Sequence, residues 1–447
     1  MELTRRGAEV PKSPDVAAKV RAGLVVSPFS PMDPYPKRFK VYIETPTKYI
    51  VPVHWALDTF PYLAVADTRS PGVDIDVTFV GALREDLHQP RAVASVLDQW
   101  QRTDGAMLCA IAGGGKTSMS LYLAAHVRKK TLVVVHTSVL KEQWRERVKQ
   151  FLPMASVTEV QGTTCDTTGD VVIAMFQTLA SRQYPSTTFR EFHLLIVDEC
   201  HHVGAQVLTQ ALFGLAFPRV LGLSATPTRK DRLTDVMHWF LGPTAFLMQR
   251  ENQVTTEVRT VKYAAERYAM PPPLNRRGDV DYTGIVSILV ADEARTRVIA
   301  LAAVALTREG RDVLVLSHRR EHCKAICAAV ACEDVECATY LGGDKLVPDA
   351  RVLVATFSLA AEGFDCPRLS ALVLATPASD VEQACGRVMR GSAREAVVVD
   401  VVDQLGVCFA QAAKRRAMYK RSGFTMASAA DRAPPPSTSN EFAFLDD

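Results

Sequence analysis

No run of about 18 apolar residues occurs in the 447-residue chain, and the opening Met1-Glu2-Leu3-Thr4-Arg5-Arg6 is charged where an export leader needs an apolar stretch. These absences argue against a membrane span and a secretory signal, so a soluble intracellular protein with no membrane partner is expected. Charge of one sign is also lacking. The 52 Lys and Arg stand against 49 Asp and Glu, a formal charge of +3, so charge alone points to no polyanion partner. The ten cysteines lack disulfide spacing and contain no CxxC pair with a matching partner pair, which argues for reduced thiols. Cys323, Cys327, Cys332 and Cys337, with His318 and His322 close by, read as helix-face packing, with a metal site as the alternative. No short-period repeat is present, so a solenoid is not expected.

What is there organises the chain into more than one core, as its length and 48% apolar composition require. Residues 1–80 carry Pro11, Pro14, Pro28, Pro31, Pro34 and Pro36, then short runs such as Val41-Tyr42-Ile43 and Tyr49-Ile50-Val51. A flexible arm leading into a small β-rich module is expected there. From about residue 81, short Val/Ile/Leu runs alternate with longer amphipathic segments, the pattern of α/β units around parallel sheets. Strands are expected at Thr131 to His136, Val171 to Met175, Leu194 to Val197 and Val220 to Ser224. Leu140, Trp144, Val148 and Phe151 recur at helical spacing after the first of these. The alternation resumes after Pro271-Pro272-Pro273, with strands expected at Asp312 to Ser317, Arg351 to Thr356, Ala371 to Ala375 and Ala396 to Val402. The expected division is therefore an N-terminal module (1–80), a first lobe (81–250), a second lobe (251–425) and a disordered tail (426–447) containing Pro434-Pro435-Pro436.

Apolar Met107 to Ile111 runs into Ala112-Gly113-Gly114-Gly115-Lys116-Thr117 and then a helical stretch. Strand, glycine loop and helix in this order form a phosphate cradle: glycines bring backbone N–H groups close to phosphate oxygens, and the helix start adds its positive dipole end. Lys116 is positioned to reach the β- and γ-phosphates and Thr117 to hold magnesium. Leu194 to Val197 ends in Asp198-Glu199-Cys200-His201, placing carboxylates at the end of a buried strand. Asp198 suits magnesium and Glu199 suits activation of the attacking water. Farther along, Gln383-Ala384-Cys385-Gly386-Arg387-Val388-Met389-Arg390 puts two arginines three residues apart, on one helix face. Such a pair suits the charge that develops in phosphoryl transfer.

Taken in order, these segments resemble superfamily 2 helicases. Residues 110–117, AIAGGGKT, are similar to the AxxGxGKT of motif I, and DECH at 198–201 is similar to motif II of the DExH class. Ser224-Ala225-Thr226 resembles motif III, whose hydroxyls couple ATP state to lobe closure. Its continuation through Arg229 and Asp231 resembles the XPB-like and phage-repair branch. Thr356 with Gly363 and Asp365 resembles motif V, and Gln383, Arg387 and Arg390 resemble motif VI. Gln89 resembles the adenine-recognising glutamine upstream of motif I. The stretch Tyr340 to Lys345, with Arg416, Tyr419 and Gly423, resembles helicases of large DNA viruses.

The resemblance implies two tandem RecA-like lobes and ATP with magnesium in the cleft between them. Gln89, Gly113, Gly114, Gly115, Lys116, Thr117, Asp198, His201, Gly363 and Asp365 are the implied nucleotide-side residues. Glu199, Gln383, Arg387 and Arg390 would be catalytic, with Ser224 and Thr226 coupling. It also implies a strand of nucleic acid, DNA before RNA, held without sequence preference by Thr137, Gln177, Thr178, Ser317, His318 and Thr356. Loop capping is the other reading for each of those six. The implied translocation is 3′ to 5′, by a monomer, with replication, repair or transcription proteins as partners and the host nucleus as the location if the chain is viral. A P-loop ATPase of another class gives no role to Arg387 and Arg390. A catalytically silent scaffold gives no reason to keep Lys116 and Glu199.

Overall fold

The computed structural model describes residues 1–29, 36–111, 113–185, 187–201, 205–229, 231–248, 255–276, 278–341, 347–361, 366–389 and 395–427. Gly363, Asp365, Arg390 and nearly all of the expected tail lie outside them. The chain divides into two compact units, Met1–Arg250 and Glu251–Asp447.

In the first unit the chain is ordered from its start, in place of the expected flexible arm. Glu2–Thr4 pairs antiparallel with Gly7–Pro11, which pairs with Lys48–Val51 in a five-stranded sheet completed by Ile43–Glu44 and Ala66–Asp67. Leu3, Ala8 and Val10 are buried, so alternation over this short stretch outweighs its prolines. Two of the prolines sit where they cost little: Pro11 ends a strand, and Pro14 opens the helix Pro14–Gly23 behind the Ser13 cap.

An eight-stranded sheet forms the rest of this unit. Its order is Thr164–Cys165, Val157–Gln161, Val171–Met175, Thr131–Val135, Leu194–Val197, Arg219–Ser224, Gly105–Cys109 and Thr244–Leu247. All neighbours are parallel except the first pair. The central strands are buried along their length, because helices cover both faces and leave no solvated side. Alternate residues serve opposite faces: Leu132, Val134, Leu195 and Val197 join one core, and Val133, Val135, Leu194 and Ile196 the other. The first of these cores is continuous with Leu3, Val10, Tyr49 and Trp55, so the N-terminal sheet and the larger sheet share apolar packing.

The second unit holds a seven-stranded, wholly parallel sheet: Cys337–Tyr340, Val352–Thr356, Asp312–Ser317, Leu369–Leu374, Glu395–Asp403, Thr255–Tyr263 and Thr425–Met426. The strand expected at Ala371 to Ala375 begins two residues earlier, since Leu369 and Ser370 are also buried. Among the described residues no group of three or more His, Cys, Asp or Glu is placed to hold a metal ion. Cys323 is buried on the helix Arg320–Ala331. No helix among them is long and apolar enough to cross a membrane.

At the end of the strand Glu395–Asp403, Asp403 forms an ion pair at 2.6 Å with Arg295 of the helix Glu293–Arg308, both side chains at 0% exposure. Burial alone pushes the Asp403 carboxyl up, and the guanidinium opposes it. Removing one member leaves a desolvated charge without its partner, which costs about 3–5 kcal/mol. Arg295→Met is therefore expected to lower the unfolding free energy of the full chain, measured by denaturant titration, by that amount, and Arg295→Met with Asp403→Leu to recover most of it. A single variant as stable as the parent would contradict this reading.

Candidate active site

Three neighbouring strands, Leu194–Val197, Arg219–Ser224 and Gly105–Cys109, run parallel and end together, with Ser224 in register with Cys109. Backbone polarity can escape the covered sheet only at such ends, and the polar segments of the sequence gather there.

The glycine loop leaves Gly105–Cys109 and enters the helix Lys116–Val127. Gly113 and Gly115 have φ of +84° and +83°, a region open to glycine at little cost. A Cβ on Gly115 would stand 2.2 Å from the Gln89 amide nitrogen, and one on Gly114 would stand 2.7 Å from Met248 Sδ. Gln89 is buried with its amide committed to the loop: Nε2 donates to Gly114 O at 3.1 Å and Oε1 accepts from Arg84 N at 2.9 Å. Its observed partners thus brace the glycine loop. No side chain caps the helix start at Gly115, which leaves first-turn N–H groups and the dipole to face a ligand. Thr117 is half-buried in that first turn.

Lys116 Nζ donates to Glu199 Oε1 at 2.8 Å and to Ala110 O at 3.2 Å. Asp198, 5% exposed, accepts from Trp144 Nε1 at 2.7 Å through Oδ2 and from Glu199 N at 2.9 Å through Oδ1. Burial pushes its carboxyl up to about 6; the Glu199 charge adds to this, and Lys116 and the indole oppose it. Glu199 itself sits at φ +45°, a conformation that costs a non-glycine residue on the order of 1–3 kcal/mol. His201 Nδ1 lies 3.0 Å from Ser224 Oγ and 3.4 Å from Glu199 Oε2, joining the acidic segment to the neighbouring strand end. Thr226 N donates to Ser224 Oγ at 3.1 Å, and Thr226 Oγ1 donates to Thr228 O at 3.3 Å.

Two further residues belong to this site. Trp144 reads in the sequence only as helix packing, although a buried indole N–H needs an acceptor. Arg229 reads there only as a mark of the helicase branch. In the structure it ion-pairs with Asp231 at 2.6 Å while its Nη1 donates to Cys200 O at 3.3 Å and His201 O at 3.4 Å. It pins the backbone of the acidic segment.

A second group lies farther along the same edge. Thr137, after Thr131–Val135, caps the helix Ser138–Phe151 by accepting from Leu140 N at 3.3 Å. Gln177 donates to His136 O at 3.3 Å, and buried Thr178 accepts from Gly162 N at 3.1 Å. In the second unit Ser317 and Thr356 are in register at adjacent strand ends. Ser317 does not present its hydroxyl for a phosphate contact. It is 0% exposed, bonded to His322 Nδ1 at 2.9 Å, and accepts from Arg319 N at 3.3 Å, so it braces the loop. Exposed His318 is held through Nδ1 by Thr376 Oγ1 at 2.7 Å, and Thr356 Oγ1 lies 3.1 Å from Ser358 Oγ. Arg387 is buried and Gln383 half-buried on the helix Glu382–Val388.

The first unit's donor set fits a nucleoside triphosphate with a divalent cation. An ammonium now neutralised by a carboxylate, an uncapped helix start and a desolvated aspartate match phosphate oxygens and a hard cation in charge and in kind.

Residues 83–229 match the family described as Type III restriction enzyme, res subunit. A chain of Acanthamoeba polyphaga mimivirus described as an ATP-dependent RNA helicase is 25% identical over 440 residues, covering 94% of this chain and 84% of that one. An African swine fever virus chain described in the same words is 24% identical over 370 residues, covering 75% and 72%. A chain of Frog virus 3 described as a helicase is 29% identical over 332 residues, covering 73% and 75%. The crystal structure of T4 UvsW aligns over 93% of this chain and 95% of its own at 17% identity, with a TM-score of 0.38, too loose a likeness to carry weight.

The raised Asp198 carboxyl gives the site a pH dependence with a definite sign. Because its proton is held more tightly than in an exposed aspartate, its charged form, the one a cation bound there would need, prevails only above about 6. Affinity for Mg²⁺·ADP is expected to fall about tenfold per unit as pH drops below that value. Equilibrium titration of a fluorescent ADP from pH 5 to pH 7.5 would measure it, and a flat profile would contradict the assignment.

Proposed function

We propose that this ATP-hydrolysing helicase of superfamily 2, which resembles helicases of large DNA viruses, moves 3′ to 5′ along a single strand of DNA, gripping it without sequence preference. The observation that supports one site for nucleotide and polymer is that the residues proposed for each emerge from one sheet edge; DNA and the direction of travel rest on the resemblance to the XPB-like branch. Lys116 and Asp198 follow, and Ser224 ends, three adjacent strands, and Thr137 and Gln177 follow the next two. A change on one side of that edge has a short, packed route to the other.

In this reading the glycine loop and Lys116 bind the β- and γ-phosphates, and Thr117 and Asp198 hold magnesium, which when bound neutralises phosphate charge. Glu199 exchanges its bond with Lys116 for one with water and takes the water's proton. Arg387, with Arg390, supplies positive charge for phosphoryl transfer. His201, Ser224 and Thr226 link the acidic segment to the adjacent strand end. Thr137, Gln177, His318 and Thr356 offer hydroxyl, amide and imidazole groups suited to phosphate and sugar, which positions a strand but reads no base. Thr178 and Ser317 support those loops from beneath. The near-balanced overall charge agrees with gripping by hydrogen bonds rather than by a basic stripe. RNA is the second substrate reading, because the mimivirus and African swine fever virus relatives are described as RNA helicases.

Turnover is expected to rise with single-stranded DNA above the rates with no polymer, duplex DNA or RNA, measured side by side. RNA stimulation alone would select the second reading. Lys116→Ala is expected to abolish turnover. Glu199→Gln is expected to lower kcat by about 100- to 10,000-fold while keeping ATP binding and holding the nucleic-acid complex longer. Wild-type turnover in Glu199→Gln would overturn the water-activating role.

A further inference from the structure

The helix Ser138–Phe151 meets the sheet edge at two points, seven residues and about two turns apart. At its start Thr137 forms the cap. In its middle Trp144, 1% exposed and packed in a core with Leu140, Val148 and Met175, donates its indole N–H to Asp198 Oδ2 at 2.7 Å. The second Asp198 oxygen accepts from Glu199 N at 2.9 Å. Both oxygens of one carboxylate are therefore oriented, one by its own backbone segment and one by a helix from another part of the chain. An indole N–H is a donor only. It cannot bind a cation or move a proton to substrate, so it acts on the reaction only by setting where the carboxylate points. The ring cannot turn away without opening a close-packed core, which makes it a rigid lever.

We propose that Trp144 is a positioning residue that fixes the Asp198 carboxylate for its cation, and that the helix Ser138–Phe151 transmits strand engagement at Thr137 to that carboxylate. The inference rests on the proposed function, its first half on Asp198 holding the cation and its second half on a strand engaging Thr137. With the indole donor in place, Asp198 enters cation binding already oriented. Without it, the carboxylate must be ordered at the moment of binding.

The test uses the full chain with Trp144→Phe, which keeps an aromatic ring and removes the N–H. A fluorescent ADP is titrated with Mg²⁺, a readout that needs no turnover. The half-saturating Mg²⁺ concentration is expected to rise about tenfold, while ADP binding in the presence of a chelator and single-stranded DNA affinity without nucleotide stay at parental values. In turnover assays the stimulation by single-stranded DNA is expected to collapse toward the polymer-free rate. A purely structural role would lower the active fraction and leave the Mg²⁺ dependence and the stimulation ratio alone, and that result overturns the proposal. If Trp144→Phe loses its cooperative thermal transition, benzothienylalanine placed at position 144, with the bicyclic shape but no N–H, is read in the same two assays against the same expectations. A parental chain indifferent to every polymer removes the transmission claim together with the proposed function, whereas the Mg²⁺ titration still decides the positioning claim. A stimulated parent with unchanged Mg²⁺ dependence in both variants removes the positioning claim alone.

Discussion

A parallel strand covered on both faces can carry polar chemistry only where it ends, and the described site follows from that constraint. Leu194–Val197, Gly105–Cys109 and Thr131–Val135 are buried at every residue, so their backbone groups are used up in the ladder and their side chains in packing. Within the next four residues the chain leaves the apolar run: Asp198 and Glu199 at once, Thr137 after one residue and the glycine loop after Ala110, Ile111 and Ala112. The sheet's strand order makes these segments neighbours although up to about 90 residues of sequence separate them. A ligand at this edge meets several of them together.

Several interactions hold that edge in a form matched to phosphate chemistry. The Lys116–Glu199 pair keeps an ammonium and a carboxylate at partial burial without leaving either charge alone. Glu199 adopts a left-handed backbone conformation, and the surroundings have to hold it there. Lys116 binds its side chain, Asp198 Oδ1 binds its amide, and Arg229 anchors the two carbonyls that follow. The arginine in the Thr226-to-Asp231 stretch is thus a brace for the acidic segment. The Thr137, Gln177 and Thr178 group is built from helix caps and loop ties that hold the neighbouring strand ends.

Much of this was legible in the sequence because it is written in local pattern. Continuous apolar runs mark strands buried on both faces, glycines followed by Lys116-Thr117 mark a helix start that must approach an anion, and Leu140, Trp144 and Val148 mark a helix face. What escaped the sequence depends on long-range register. Alternation at Leu3, Ala8 and Val10 is too short to announce a strand beside so many prolines, and its partner, Lys48–Val51, lies some 40 residues away. Ser317 reads as an accessible hydroxyl at a strand end, but it is buried and bonded to His322, the third residue of Arg320–Ala331. Trp144 reads as packing because period alone cannot tell which end of an indole faces an acceptor, and Asp198 comes to it from 54 residues away.

Amide hydrogen exchange of the full chain, with and without Mg²⁺·ADP, tests the central claim that this strand edge is the nucleotide site. Slowed exchange at residues 113–119 and 198–201, with the strands beneath unchanged, is the result expected. Protection confined to other segments, with these two unaffected at saturating nucleotide, would contradict the account.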